Sequence, residues 1–138
     1  MIILDTNVIS EGMRPNPEPR VIKWLDDNTA QPLAVTAVSI AELLYGIRRL
    51  PQGRRRSSLQ TAFDNFMSQG LEGRMLPFDG AAADLYSQIV IARARGGRRI
   101  EVFDAMIAAI ARVSGADIAT RDVSDFEECG VRVVNPWE

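Results

Sequence analysis

Five short apolar runs alternate with stretches of helical periodicity, and that alternation limits the fold more than any other feature of the chain. The runs fall at residues 1–4, 33–36, 74–76, 118–120 and 131–134. Short apolar strands separated by helices argue for a parallel sheet covered on both faces, because the connecting helices lie back across it. Asn16-Pro17 reads as a helix start, with Val21, Trp24 and Leu25 as its apolar stripe before Asp27-Asn28. A second helix opens at Ser39-Ile40-Ala41-Glu42 and runs to about residue 50, where Pro51 and Gly53 stop it. Residues 54–68 place Leu59, Ala62, Phe63, Phe66 and Met67 at helical spacing. Asp79 can cap a long helix to about residue 95, ended by Gly96-Gly97, and another covers 102–114 before Gly115. The expected class is α/β, and 138 residues suffice for one domain with one substantial core.

The chemistry open to such a chain is narrow. There is no histidine, which excludes imidazole acid–base catalysis, Ser-His-Asp triads and histidine-bound zinc. Lys23 is the only lysine against fifteen arginines, and no Gly-x-x-x-x-Gly-Lys or Gly-x-Gly-x-x-Gly occurs. Cys129 is alone, so neither an internal disulfide nor a cysteine metal cluster can form. The longest apolar run, 105–111, is far short of the ~20 residues a membrane span needs. The first residues show no basic region and no apolar stretch of leader length, so a reducing cytosol is the expected location. Any reaction must run on carboxylates, hydroxyls, arginines and bound ions.

Four acids stand where a parallel sheet binds ligands, beyond the carboxyl ends of its strands. Asp5 directly follows the first strand, Glu42 lies in the first turn of the helix after the second, and Asp122 lies two residues past the fourth. Asp104 occupies the first turn of the helix that leads into the fourth strand. Such a helix carries the chain back to the amino end of the sheet, so it starts at the carboxyl rim. Carboxylates gathered there repel, and burial adds to the cost, so at least one pKa should rise. A Mg²⁺ or Mn²⁺ ion reverses the balance, because hard oxygen ligands suit hard cations whose bound water can attack a phosphodiester.

Each acid also has a purely structural role open to it. Ser39-x-x-Glu42 fits a capping box in which Glu42 bonds back to the Ser39 amide. Asp104 can complement a helix dipole. Asp5, followed by Thr6 and Asn7, can form a turn, and Asp122 stands among turn formers with Ser124 and with Asp125, which competes for its role. The arginine groups Arg48-Arg49, Arg54-Arg55-Arg56, Arg93 with Arg95, and Arg98-Arg99 can hold an RNA backbone or solvate helix ends. Trp24, Tyr45, Phe63, Phe66 and Phe103 read as core rather than as stacking platforms.

Four blocks together resemble PIN-domain ribonucleases: Leu4-Asp5-Thr6-Asn7-Val8, Ser39 through Ile47, Asp104 through Ala109, and Ala119-Thr120-Arg121-Asp122 with Asp125-Phe126. The ending Val134-Asn135-Pro136-Trp137 and the spacing over the whole chain are similar to VapC-type toxins of bacterial toxin–antitoxin pairs, the FitB-like branch above all. The resemblance implies a PIN-like three-layer domain over 1–138, with a central parallel five-stranded sheet flanked by helices. It implies a Mg²⁺- or Mn²⁺-dependent endoribonuclease whose catalytic and metal-binding acids are Asp5, Glu42, Asp104 and Asp122. Thr6, Asn7, Ser39, Thr120 and Arg121 fall at positions beside the metals and the substrate. Many relatives carry Asn where Asp122 stands, which marks the fourth acid as helpful rather than essential.

The resemblance further implies a cytoplasmic homodimer that cleaves RNA and touches no membrane. Its partner would be a cognate VapB/FitA-type antitoxin with a DNA-binding domain, and operator DNA would be reached only through it. Tyr45, Ile47 and Leu50 are the expected lining of an apolar groove for an antitoxin helix. Other functions fit less well. A phosphoacceptor receiver domain needs paired acids after its first strand and a lysine after its last, and an aspartate-nucleophile phosphatase needs Asp-x-Asp; Asp5-Thr6-Asn7 and the absence of lysine beyond Lys23 supply neither. A catalytically silent module acting through its antitoxin is the remaining alternative.

Overall fold

The computed structural model describes residues 1–138. In chain order the elements are β1 (Ile2–Leu4), α1 (Thr6–Gly12), α2 (Pro19–Asp27), β2 (Leu33–Thr36), α3 (Ala37–Arg48) and α4 (Arg54–Ser68). They continue with β3 (Met75–Leu76), α5 (Gly80–Arg95), α6 (Val102–Ser114), β4 (Asp117–Ala119), a 3-10 turn (Val123–Phe126) and β5 (Val133–Val134). The five strands form one parallel sheet in the order β3-β2-β1-β4-β5. The chain thus builds outward from β1 on one side, then resumes on the other side at β4. Connections diverge at this switch point and leave a crevice between the ends of β1 and β4. No helix is long and apolar enough to cross a membrane.

Two cores explain why the strands read as continuous apolar runs. Ile2, Leu4, Leu33 and Val35 pack on one face against Val8, Ile9, Val21, Leu43 and Phe63. Ile3, Ala34 and Ile118 pack on the other against Ile89, Ile107, Ile110 and Phe126. Side chains alternate across the sheet, yet both faces are apolar, which gives the three-layer α/β arrangement expected.

The differences from expectation are local. Helix α1 carries no clear signal in the sequence, because Thr6–Gly12 offers only Val8 and Ile9 as apolar anchors and includes weak helix formers. It forms because Asp5 accepts the Thr6 N–H and because those two side chains bury against the sheet. Helix α2 starts at Pro19, with Glu18 as its cap, rather than at Asn16-Pro17. Helix α3 starts two residues before Ser39, since Thr36 Oγ1 accepts the Ser39 amide at 3.1 Å. That bond removes the capping box: the Ser39 N–H is already taken, and Glu42 is left to turn elsewhere.

Phe63 is buried, and Trp24 and Phe66 are half-buried in the core, but Tyr45 is 69% and Phe103 51% exposed. Tyr45 lies on the helix face opposite Leu43 and Ile47, and Phe103 precedes the buried run of α6. The grouping of Arg93 with Arg95 as an RNA contact also fails, because Arg93 is only 4% exposed. Its Nε donates to Arg98 O at 2.9 Å, its Nη1 to Asp125 O at 3.0 Å and Glu127 O at 2.9 Å, and its Nη2 to Arg99 O at 3.3 Å. One guanidinium thereby fastens α5 to the loop before α6 and to the segment after β4. Arg93→Met should cost about 3 kcal/mol of unfolding free energy by stranding these carbonyls. A urea unfolding curve that matches wild type would show the clamp to be dispensable.

Candidate active site

The switch-point crevice is a cleft of about 540 Å³ lined by Asp5, Thr6, Asn7, Glu42, Asp104, Arg121 and Asp122, and by Ser10, Glu11, Arg14 and Trp137. All four acids expected at the carboxyl rim are on its walls. Asp5 follows β1 and is 7% exposed. Its Oδ1 accepts the Thr6 amide and its Oδ2 the Thr120 hydroxyl, both at 2.8 Å. Thr6 Oγ1 lies 3.1 Å from Glu42 Oε1 and 3.1 Å from Ser39 Oγ, so its single proton serves the carboxylate. Asn7 Nδ2 reaches Asp122 Oδ2 at 3.1 Å and Thr120 Oγ1 at 3.2 Å, and Asn7 Oδ1 accepts the Arg121 amide at 3.3 Å. These bonds join the loops after β1, β2 and β4 into one network.

Ser39 and Thr120 are fully buried and do not face the open cleft: the Thr120 hydroxyl holds Asp5, and the Ser39 hydroxyl sits between those of Thr6 and Thr36. Asp125 lies on the far side of Asp104, in a neighbouring cleft with Arg99, Glu101 and Val102. Asp122, not Asp125, therefore shares the main cleft with the other three acids.

Asp104 stands apart from the network. No hydrogen-bond donor offsets its charge; burial, and then Asp5, Asp125, Glu42 and Glu101, push its pKa up to about 7. Burial also raises Asp5, against the opposing effect of its bonds to Thr120 and Thr6, and raises Glu42 against its bond from Thr6. No three acids stand at the spacing of a filled cation site. The donors are nonetheless all hard oxygens, and one of them lacks any other partner, which fits Mg²⁺ or Mn²⁺ and no softer metal.

Ser10, Glu11, Arg14 and Trp137 were not foreseen at the site. Ser10 and Glu11 lie with Asn7 at helical spacing on α1, so its helical period is the signal for them, and Arg14 follows in the turn after the helix.

Fold and cleft define the class: a doubly wound α/β domain whose switch point is an acidic cleft. A family model described as PIN domain matches residues 2–130. VapC ribonuclease Y4jK from Sinorhizobium fredii is 39% identical over 138 residues, which is 100% of this chain and 99% of that protein. Two solved structures are similar at a TM-score of 0.90 and 38% identity: FitAcB from Neisseria gonorrhoeae and FitAB bound to an IR36 DNA fragment. Each match covers 100% of this chain, and 99% and 96% of the respective structure's chain. The chain belongs to the PIN-domain family.

The raised acids set a sign for pH dependence. A carboxyl that holds its proton more tightly when folded destabilises the fold once ionised, so stability falls as pH climbs toward 7, the approximate folded value for Asp104. Asp5 and Glu42 act in the same direction. In chelator, the melting temperature should therefore drop between about pH 5 and about pH 8. Asp104→Asn should flatten that drop and melt a few degrees higher than wild type at the alkaline end. A wild-type melting temperature that climbs over this range contradicts the electrostatics.

Proposed function

We propose that this chain is a metal-dependent endoribonuclease and the toxin of a toxin–antitoxin pair, built as one PIN domain over residues 1–138. The observation that carries the reading is Asp104: a cleft acid without a hydrogen-bond donor, held among like charges. Such a group is tolerable when a cation shares it. Asp5, Glu42, Asp104 and Asp122 would hold Mg²⁺ or Mn²⁺, and the bound ion supplies an activated water and stabilises charge developing on the phosphate.

The chain's own groups prepare the site. Thr120 and the Thr6 amide fix both oxygens of Asp5, Thr6 orients Glu42, and Asn7 orients Asp122. With these carboxylates immobilised, little reorganisation remains when substrate arrives. Hydrolysis adds the water oxygen to phosphorus, breaks one phosphorus–oxygen ester bond and passes a proton to the departing oxygen. Arg121, Thr6 and Asn7 all line the cleft, where they would contact the phosphate of the substrate.

The proposed partner is a cognate antitoxin of VapB/FitA type, in a complex of homodimeric toxin that reaches operator DNA through the antitoxin. The similarity to FitAcB and to DNA-bound FitAB supports this. So does an apolar groove of about 410 Å³ running from the cleft between α1, α3 and α4, lined by Met13, Leu43, Ile47 and Leu59 among others. Of the three residues expected in such a groove, Ile47 lines it, whereas Tyr45 and Leu50 do not.

Two measurements test the reading. RNA cleavage by the purified protein should need Mg²⁺ or Mn²⁺, stop in chelator, and fall at least about 100-fold in Asp5→Asn and in Asp104→Asn. Undiminished cleavage by either variant overturns the assignment. Metal at a hundredfold excess over its Kd should stabilise the fold by about 2.7 kcal/mol, seen as a higher melting temperature. A flat response to both ions removes the metal site.

A further inference from the structure

Apart from the acids, the cleft holds only two charged side chains, Arg14 and Arg121. They are not equivalent. Arg121 lies over the ring of Trp137, with its guanidinium carbon 5.3 Å from the centroid. Arg14 is held by a single nitrogen: Nη1 donates to Glu11 Oε2 at 3.0 Å and to Oε1 at 3.3 Å. No other partner engages it, so Nε and Nη2 stay open on a side chain that is 63% exposed. Glu11 is only 8% exposed in its side chain, and its Oε2 also accepts the Glu18 amide at 3.3 Å. A buried carboxylate, braced by backbone, thus grips one edge of a guanidinium and presents the other edge to the cleft.

The placement follows from α1. Asn7, Ser10 and Glu11 line the cleft from one face of α1, and Arg14 extends that polar lining from the turn that follows the helix. Arg14 stands two residues past the end of α1, in a turn where its amide donates to Glu11 O at 3.2 Å. It also lines the neighbouring apolar groove, which puts it where the two depressions meet. An RNA strand entering a cleft walled by carboxylates meets repulsion everywhere except at a bound ion and at these arginines. A guanidinium with one edge anchored and one edge free is suited to grip a phosphate through two parallel N–H bonds.

We propose that Arg14, oriented by buried Glu11, binds a phosphate of the substrate strand next to the one that is cleaved. This rests on the nuclease reading and makes Arg14 a binding residue, with Glu11 as the residue that positions it.

The test is single-turnover cleavage of a mixed-sequence single-stranded RNA pool in Mg²⁺, with enzyme in excess, at several KCl concentrations. The concentration for half-maximal rate should rise about tenfold in Arg14→Gln, and the slope of log affinity against log salt should shrink by about 0.7, one single-strand phosphate contact. The maximal rate should change little. Arg14→Lys keeps the charge and should keep the slope while losing part of the affinity, and Glu11→Gln should do the same by loosening the grip. Arg132→Gln removes an equal charge from an exposed site outside the cleft and should match wild type. An unchanged salt slope in Arg14→Gln, even with a lower melting temperature, overturns the proposal and leaves Arg14 a mere partner for Glu11. So does an Arg132→Gln effect of equal size. No cleavage by wild type brings down the nuclease reading itself, and this inference with it.

Discussion

Negative charge crowded at the carboxyl edge of the sheet is the constraint to which the rest of the molecule answers. Asp5, Glu42, Asp104 and Asp122 arrive from four separate chain segments and face one cleft. For Asp5, Glu42 and Asp104, like-charged neighbours raise the cost of ionisation, and burial removes the water that would relieve it. Three of the acids have a local donor: Thr120 and the Thr6 amide for Asp5, Thr6 Oγ1 for Glu42, and Asn7 Nδ2 for Asp122. Asp104 has none, and its pKa of about 7 records the balance that is left.

The scaffold supplies what the acids cannot supply for themselves. Strands buried on both faces fix the ends of β1, β2 and β4 relative to one another, so the loops that follow them have little freedom. The supports behind the acids are buried: Thr120, which holds Asp5, is fully enclosed, as is Ser39, which meets the Thr6 hydroxyl and whose amide Thr36 holds at the start of α3. On the opposite flank Arg93 ties the loop before α6 to the segment after β4, the two stretches that border Asp104. Rigidity in these supports lets a repulsive arrangement persist without the fold opening.

Much of this was legible in the residues. The parallel sheet followed from apolar runs without polar alternation, and the gathering of the acids followed from the rule that ligands sit beyond strand carboxyl ends. Asp104 was the hardest of the four, since α5 and α6 both separate β3 from β4; the requirement that α6 return the chain to the amino edge still placed it correctly. Glu42 was ambiguous because a capping box and a cleft-facing acid share the same spacing. Thr36 decided the matter, and a threonine closing an apolar strand is a cap signal that could have been read. Helix α1 was illegible because its stability comes from Asp5 and from burial of Val8 and Ile9, not from propensity. With α1 unread, Ser10, Glu11 and Arg14 could not be assigned to the cleft, and Trp137 enters only through the path of the chain after β5.

If crowded charge is what the site is built around, a cation must displace protons as it binds. Calorimetric titration of Mn²⁺ at about pH 7, in two buffers of different ionisation enthalpy, counts the protons released per ion. Release of a substantial fraction of a proton by wild type, and its loss in Asp104→Asn, is the predicted result. Binding with no proton released, or no binding at all, would contradict it.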